Sequence, residues 1–99
     1  MLLLSTVLER LRAREASLRQ RGLLHVAVFG SVARGDDHPD SDVDLFVDLS
    51  PDVANDFLAY AGLAADLEQI VGREVDVAQH ARLRPHVRSS AEAHAVYAF

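Results

Sequence analysis

The sequence has no cysteine, no lysine and no tryptophan, and only three prolines, five glycines and six aromatic residues. Without cysteine there is no disulfide and no thiolate metal site, and nothing argues against a reducing compartment. Without lysine, every formal positive charge is an arginine: ten stand against fifteen aspartates and glutamates, for a net charge of −5. Also missing is any apolar run near the roughly 20 residues that a membrane helix needs. The opening Leu2-Leu3-Leu4 soon meets Glu9 and a series of arginines, which is too short and too charged for a signal peptide or a span. A soluble, cytoplasmic protein is expected. With 99 residues and 49% hydrophobic content, the chain suits one domain over 1–99 with one core. Nothing is left over for a separate recognition domain, so any acceptor site would be completed by another chain.

The charges are segregated. Arg10, Arg12, Arg14, Arg19 and Arg21 fall in the first predicted helix, while eight of the fifteen acids lie between Asp36 and Asp56, a window without a single arginine. Such an acidic block repels a nucleic-acid backbone unless cations intervene. No basic groove with interleaved aromatics is visible, so direct nucleic-acid binding is not expected.

Leu4, Val7, Leu8, Leu11 and Leu18 recur at helical spacing and predict a helix over about 3–21, ended by Gly22. Leu24 to Phe29 is short, β-branched and stopped by Gly30, as a buried strand would be. Residues 31–35 can make one helical turn closed by Gly35, and 36–41 have loop chemistry. Asp42 to Leu49 reads as a second strand, with Val43, Leu45, Val47 and Leu49 on one face and Asp42, Asp44, Phe46 and Asp48 on the other. Ser50 as N-cap and Pro51 at the first helical position open a helix whose stripe is Val53, Phe57, Ala61, Ala64, Leu67 and Val71, ending at Gly72. A third strand over about 73–78 follows, and two strands joined by a helix of this length should run parallel through a right-handed crossover. Leu83-Arg84-Pro85 suggests a turn, and 89–99 is read as a closing helix. The fold class is α/β (α+β), a small mixed sheet of three to four strands with helices packed on one face.

The chemistry lies in Gly30-Ser31 and, ten residues on, Asp42-Val43-Asp44. Two carboxylates two residues apart on a strand project to the same side and can share one or two magnesium ions. Such hard cations keep phosphate oxygens or water in their remaining positions, which suits a nucleoside triphosphate. Two metals clamp both the attacking and the leaving oxygen of an in-line displacement and call for a third carboxylate on a neighbouring strand. Asp76, flanked by Val75 and Val77, meets that requirement, binding the catalytic metal and helping to deprotonate an attacking hydroxyl. Glycine lets backbone approach phosphate closely, and the Ser31 hydroxyl can donate to a terminal phosphate. Arg34 adds positive charge for the leaving pyrophosphate, although Arg34 and Asp48 each have an equal reading as salt-bridge partners.

Gly30-Ser31-Val32-Ala33-Arg34-Gly35 with Ser41-Asp42-Val43-Asp44-Leu45 resembles the signature of the DNA polymerase β-like nucleotidyltransferases, and within them the minimal nucleotidyltransferases of prokaryotes, the MNT or MntA-like family. The likeness covers nearly the whole chain, because Glu74-Val75-Asp76-Val77 falls where that family carries its third acid. The resemblance implies ATP as substrate and a HEPN-domain ribonuclease toxin as partner, silenced by transfer of AMP to a tyrosine hydroxyl in a type VII-like antitoxin reaction. By position, Gly30 and Ser31 would bind the triphosphate, Asp42 and Asp44 two magnesium ions, and Asp76 the catalytic metal and acceptor.

His25, His38, His80, His86 and His94 show no i,i+4 or strand pairing, which argues against zinc. His38 is read as a solvent-exposed loop residue above the Asp pair, and Tyr60 and Tyr97 as core or interface aromatics rather than modified acceptors. Two other functions compete. One is an antitoxin that neutralises its partner by binding alone, prompted by the charge segregation. The other is transfer to a small molecule such as an aminoglycoside, for which no acceptor-holding helical domain is left.

Overall fold

The computed structural model describes residues 4–36 and 41–99. Helices α1 (Leu4–Arg12) and α2 (Glu15–Gln20) lead into strand β1 (Leu23–Phe29), a one-turn helix α3 (Gly30–Arg34) and strand β2 (Val43–Leu49). Helices α4 (Pro51–Ala54) and α5 (Phe57–Val71) cross to strand β3 (Val75–Gln79), and a 3-10 turn (His80–Arg82), helix α6 (Pro85–Ala93) and strand β4 (Val96–Tyr97) complete the chain. The sheet order is β3-β2-β1-β4. β1 runs antiparallel to β2 and β4, whereas the crossover through α4 and α5 returns β3 parallel to β2.

Alternation along the strands sorts the residues into two packed layers. Val26, Val28, Val43, Leu45 and Val47 form one core with Val7 and Leu11 of α1, Leu18 of α2, and Leu63, Leu67 and Val71 of α5. Ala27 and Phe46 point the other way and are sealed by Ala91 of α6, with Phe29, Leu83 and Ala95 around them. The mixed α/β class expected from sequence is the class observed. The added detail is that α6 covers part of the second face, the one that also carries Asp44.

Beyond one-residue shifts at the starts of β1 and β2, the elements differ from expectation at four places. The first helix breaks at Ala13-Arg14, where the apolar spacing lapses between Leu11 and Leu18. There the Arg14 N–H tightens onto the Leu11 carbonyl at 3.1 Å, so that α1 packs on α5 and α2 on β1. The helix after Ser50 also breaks: Asp56 is the N-cap of α5, its carboxylate accepting from the Ala59 N–H at 3.1 Å. The break separates Val53 from the stripe of α5, in which Tyr60, Leu63, Leu67 and Val71 face the core while Phe57 is 80% exposed and Ala61 is exposed. β3 starts at Val75 rather than 73. The tail is not a helix over 89–99: Arg84 and Pro85 start α6 earlier, and Val96 and Tyr97 pair with Val28 and Ala27.

The arginine-rich first segment is tied to its own chain. Arg10 donates to the Val71 carbonyl at 2.5 Å, Arg12 to the Ala98 carbonyl at 2.7 Å and Arg19 to the Leu24 carbonyl at 2.8 Å, while Arg21 pairs with Asp66. These side chains fasten α1 and α2 to element ends, so the charge segregation read from sequence is in large part internal.

His80 fixes α6 over the second face. Its ring stacks on Phe46 with centroids 4.6 Å apart, Nδ1 lies 3.3 Å from Asp48 Oδ1, and Nε2 lies 2.7 Å from Glu92 Oε1. Asp48 is thereby engaged as a structural partner. Replacing His80 by Ala removes the stack and both polar contacts, and a stability loss of about 2 kcal/mol is expected in urea unfolding.

Candidate active site

The site is built where β1 ends, α3 turns and β2 begins. In the antiparallel register Phe29 lies opposite Asp44, and in the parallel register Asp44 lies beside Asp76. Neighbours in a parallel pair share a face, so strand pairing alone puts these two carboxylates together. Asp42 sits one step before β2 and is exposed, Asp44 is half-buried and Asp76 is exposed.

Gly30 makes the approach of α3 possible. Its φ is +70°, and a Cβ built there would run into the Asp44 carboxyl group, with Cγ at 3.0 Å. Only glycine tolerates both conditions. Phe29 supplies an extended N-cap and makes no side-chain cap bond to the first amides of α3. Gly35 closes the turn at φ +79°, and the Asp36 N–H donates to the Ser31 carbonyl at 3.0 Å.

The electrostatics centre on Asp44. Its carboxyl is pushed above the ordinary value of 3.8, first by burial, then by the negative charges of Asp76 and Asp42, with Arg34 pulling the other way. Burial is the largest single cause, and like-charge repulsion from the two neighbouring acids adds to it. Arg34 is exposed and lies 3.3 Å from Asp36 Oδ2 through Nε. Among the described residues, no three His, Asp or Glu side chains are gathered closely enough to hold a metal ion by themselves. The acids form an open set of oxygen donors rather than a cage. His38, read from sequence as an exposed loop residue, lies outside the described residues, as do its neighbours 37, 39 and 40.

Tyr60 is a structural residue of this neighbourhood. Its hydroxyl donates to the Val77 carbonyl at 3.0 Å, and its ionisation is pushed up by burial and then by Asp76, with Arg82 opposing. Together with Glu68, whose carboxylate accepts from the Val75 N–H at 3.4 Å, it occupies polar groups on the free edge of β3. Tyr97 is 44% exposed and packs edge-on to Phe46 at 5.6 Å.

Two cavities flank these elements. One of about 440 Å³ lies between Asn55, Phe57 and Tyr60 on one side and Gln79 and Arg82 on the other, and none of the three acids lines it. The second, about 330 Å³, touches Gly30 and Arg34 directly and is walled by His86, Ser90 and His94 of α6 and its C-cap. This wall is not visible when the last helix is taken to begin at Ser89. The signal that reveals it is the spacing His86, Ser90, His94, one residue every four. No helix among the described residues is long and apolar enough to cross a membrane.

Residues 5–98 match the nucleotidyltransferase domain family. The protein adenylyltransferase MntA of Thermococcus cleftensis is 33% identical over 98 residues, covering 98% of this chain and 97% of that protein. The solved structure of a minimal nucleotidyltransferase superposes with a TM-score of 0.70 at 36% identity, covering 90% of this chain and 93% of that one. A chain of the complex between an MNT antitoxin and the tri-AMPylated HEPN toxin of Shewanella oneidensis superposes at TM-score 0.63 and 18% identity, over 93% of this chain and 71% of that one, a likeness of fold.

Proposed function

This chain belongs to the nucleotidyltransferase domain family, and on that premise we propose that it is a protein adenylyltransferase that moves AMP from ATP to a tyrosine hydroxyl of a HEPN-type toxin, acting as its type VII-like antitoxin. The observation that carries this reading is the packing of Gly30 on Asp44, with Asp42 and Asp76 close enough to raise its carboxyl. The reading is supported by a relative named as a protein adenylyltransferase, and the kind of partner is suggested by the complex of an MNT antitoxin with an AMPylated HEPN toxin.

The donor set fits hard divalent cations. It is all oxygen, Asp42 and Asp76 are exposed, and its central carboxylate is penalised by burial and like charge in a way that a cation relieves. Asp42 and Asp44 would hold two magnesium ions, with Asp76 helping to hold the catalytic one. Bound there, the ions supply positive charge to the attacking and leaving oxygens. Gly30 and Ser31 seat the triphosphate through backbone amides and the Ser31 hydroxyl, with Arg34 beside them. Asp76 orients the acceptor hydroxyl and takes its proton. The acceptor oxygen bonds to the α-phosphorus as the bond to the bridging oxygen breaks, and pyrophosphate departs.

Incubating the chain with the product of its adjacent reading frame, ATP and magnesium should raise the partner's intact mass by one or more AMP units. A partner of unchanged mass, with the three acids intact, contradicts the proposal. A contribution from binding itself is favoured by Phe57 and Leu58, adjacent at the start of α5 and each 80% exposed. Such a pair suits a protein contact.

A further inference from the structure

We propose that His86, Ser90 and His94 form the second wall of a polyphosphate cleft facing Gly30 and Arg34, and that this wall holds the pyrophosphate that leaves during transfer. The inference rests on the nucleotidyltransferase reading and adds to it a set of binding residues on α6. The cleft has a volume of about 330 Å³ and is continuous with the site because Gly30, which packs on Asp44, is part of its lining.

The lining chemistry selects an anion. The polar side chains are one arginine, two histidines and one serine, all able to donate, and no carboxylate lines the cleft among the described residues. That selection stands out in a chain with fifteen acids and ten arginines. Apolar lining comes from Phe29 at the end of β1 and from Val87 and Ala91 of α6, with Ala91 6% exposed where α6 packs on the sheet. Among the described residues Phe29 is the only aromatic ring besides the two histidines in this lining, so two aromatic hydrocarbon faces to sandwich a purine ring are not offered.

The wall is held in place. Glu92, on another face of the same helix, meets His80 at 2.7 Å, and Arg88 donates to the Ala81 carbonyl at 3.1 Å and the Leu83 carbonyl at 3.3 Å. With α6 fastened through these residues, its 86, 90 and 94 positions are left facing the cleft one turn apart. Among the described residues Arg34 pairs with Asp36 at 3.3 Å in an exposed contact, which a phosphate oxygen can displace. The acids then hold the α-phosphate side of the substrate, and the donors of α3 and α6 hold the side that departs.

The test is an NMR titration of the histidine ring protons in the intact chain, first with magnesium pyrophosphate and then with adenosine, the resonances assigned with His86→Ala and His94→Ala. Pyrophosphate is expected to shift both rings saturably and adenosine to shift neither. Each substitution should weaken pyrophosphate binding about tenfold, the worth of one hydrogen bond to a charged group. Rings unmoved by pyrophosphate overturn the proposal, and rings moved by adenosine assign the cleft to the nucleoside instead. The readout needs no partner: shifted histidines in a chain that never modifies a protein would remove the acceptor assignment and keep the cleft, and the reverse pattern would do the opposite.

Discussion

Asp44→Asn is expected to lower AMP transfer by about a hundredfold or more and, in the same protein without metal, to raise the melting temperature at neutral pH. The first effect follows from losing a charged ligand at the centre of the site. The second follows from linkage. The folded-state value for Asp44 lies above 3.8, mainly through burial and then through Asp76 and Asp42. Between the unfolded and folded values the native state binds more proton than the unfolded chain, so this group's contribution to stability falls as pH rises through that window and the penalty is complete above it. Asparagine carries no such penalty. Thermal melts at neutral pH and again in the acid range check the sign, since the difference between variant and wild type should shrink as Asp44 becomes protonated. Added magnesium should raise the wild-type melting temperature and have less effect on the variant, because a ligand stabilises only the state that binds it.

Gly30→Ala is the second large effect. A positive φ costs a residue with a Cβ about 1–3 kcal/mol, and at Gly30 the new atom also meets the Asp44 carboxyl group, with Cγ at 3.0 Å and Cβ at 3.2 Å. The Asp44 side chain must leave its place or α3 must lift, and either separates the phosphate cradle from the acids. Transfer should therefore fall by about a hundredfold or more, beyond what lost stability explains. Gly35→Ala is the control, because Gly35 has a φ of +79° and a methyl group added to it would meet no described residue within 4 Å. It should show the backbone cost in a urea melt while transfer by the folded protein stays near wild type.

The part of this arrangement legible in the sequence is the part set by short periods. Alternation along 42–49 puts Asp42 and Asp44 on one face, and the length of the following helix requires a parallel return, which sets Asp76 beside Asp44. Gly30 is legible as a tight approach, though not that the group approached is Asp44 itself. What stays hidden depends on contacts distant in sequence. A strand of two residues, Val96–Tyr97, has no period of its own and exists because β1 offers an edge. Phe57 falls on the stripe expected from sequence and yet is exposed, because it opens α5 at the edge of a core face centred on Tyr60, Leu63, Leu67 and Val71. The wall of His86, Ser90 and His94 is hidden because Arg84-Pro85, which has the chemistry of a turn, opens α6. The charge segregation reads as a sign of a binding surface, and three arginines of the first helix bind main-chain carbonyls of their own chain.

The most direct measurement of the central claim is protection of cells that express the toxic partner, comparing wild type with the Asp42→Asn, Asp44→Asn double variant and following complex formation by co-purification. Catalysis by the acids predicts that the variant still co-purifies with the partner and no longer protects. Protection by the variant equal to that of wild type would contradict the account.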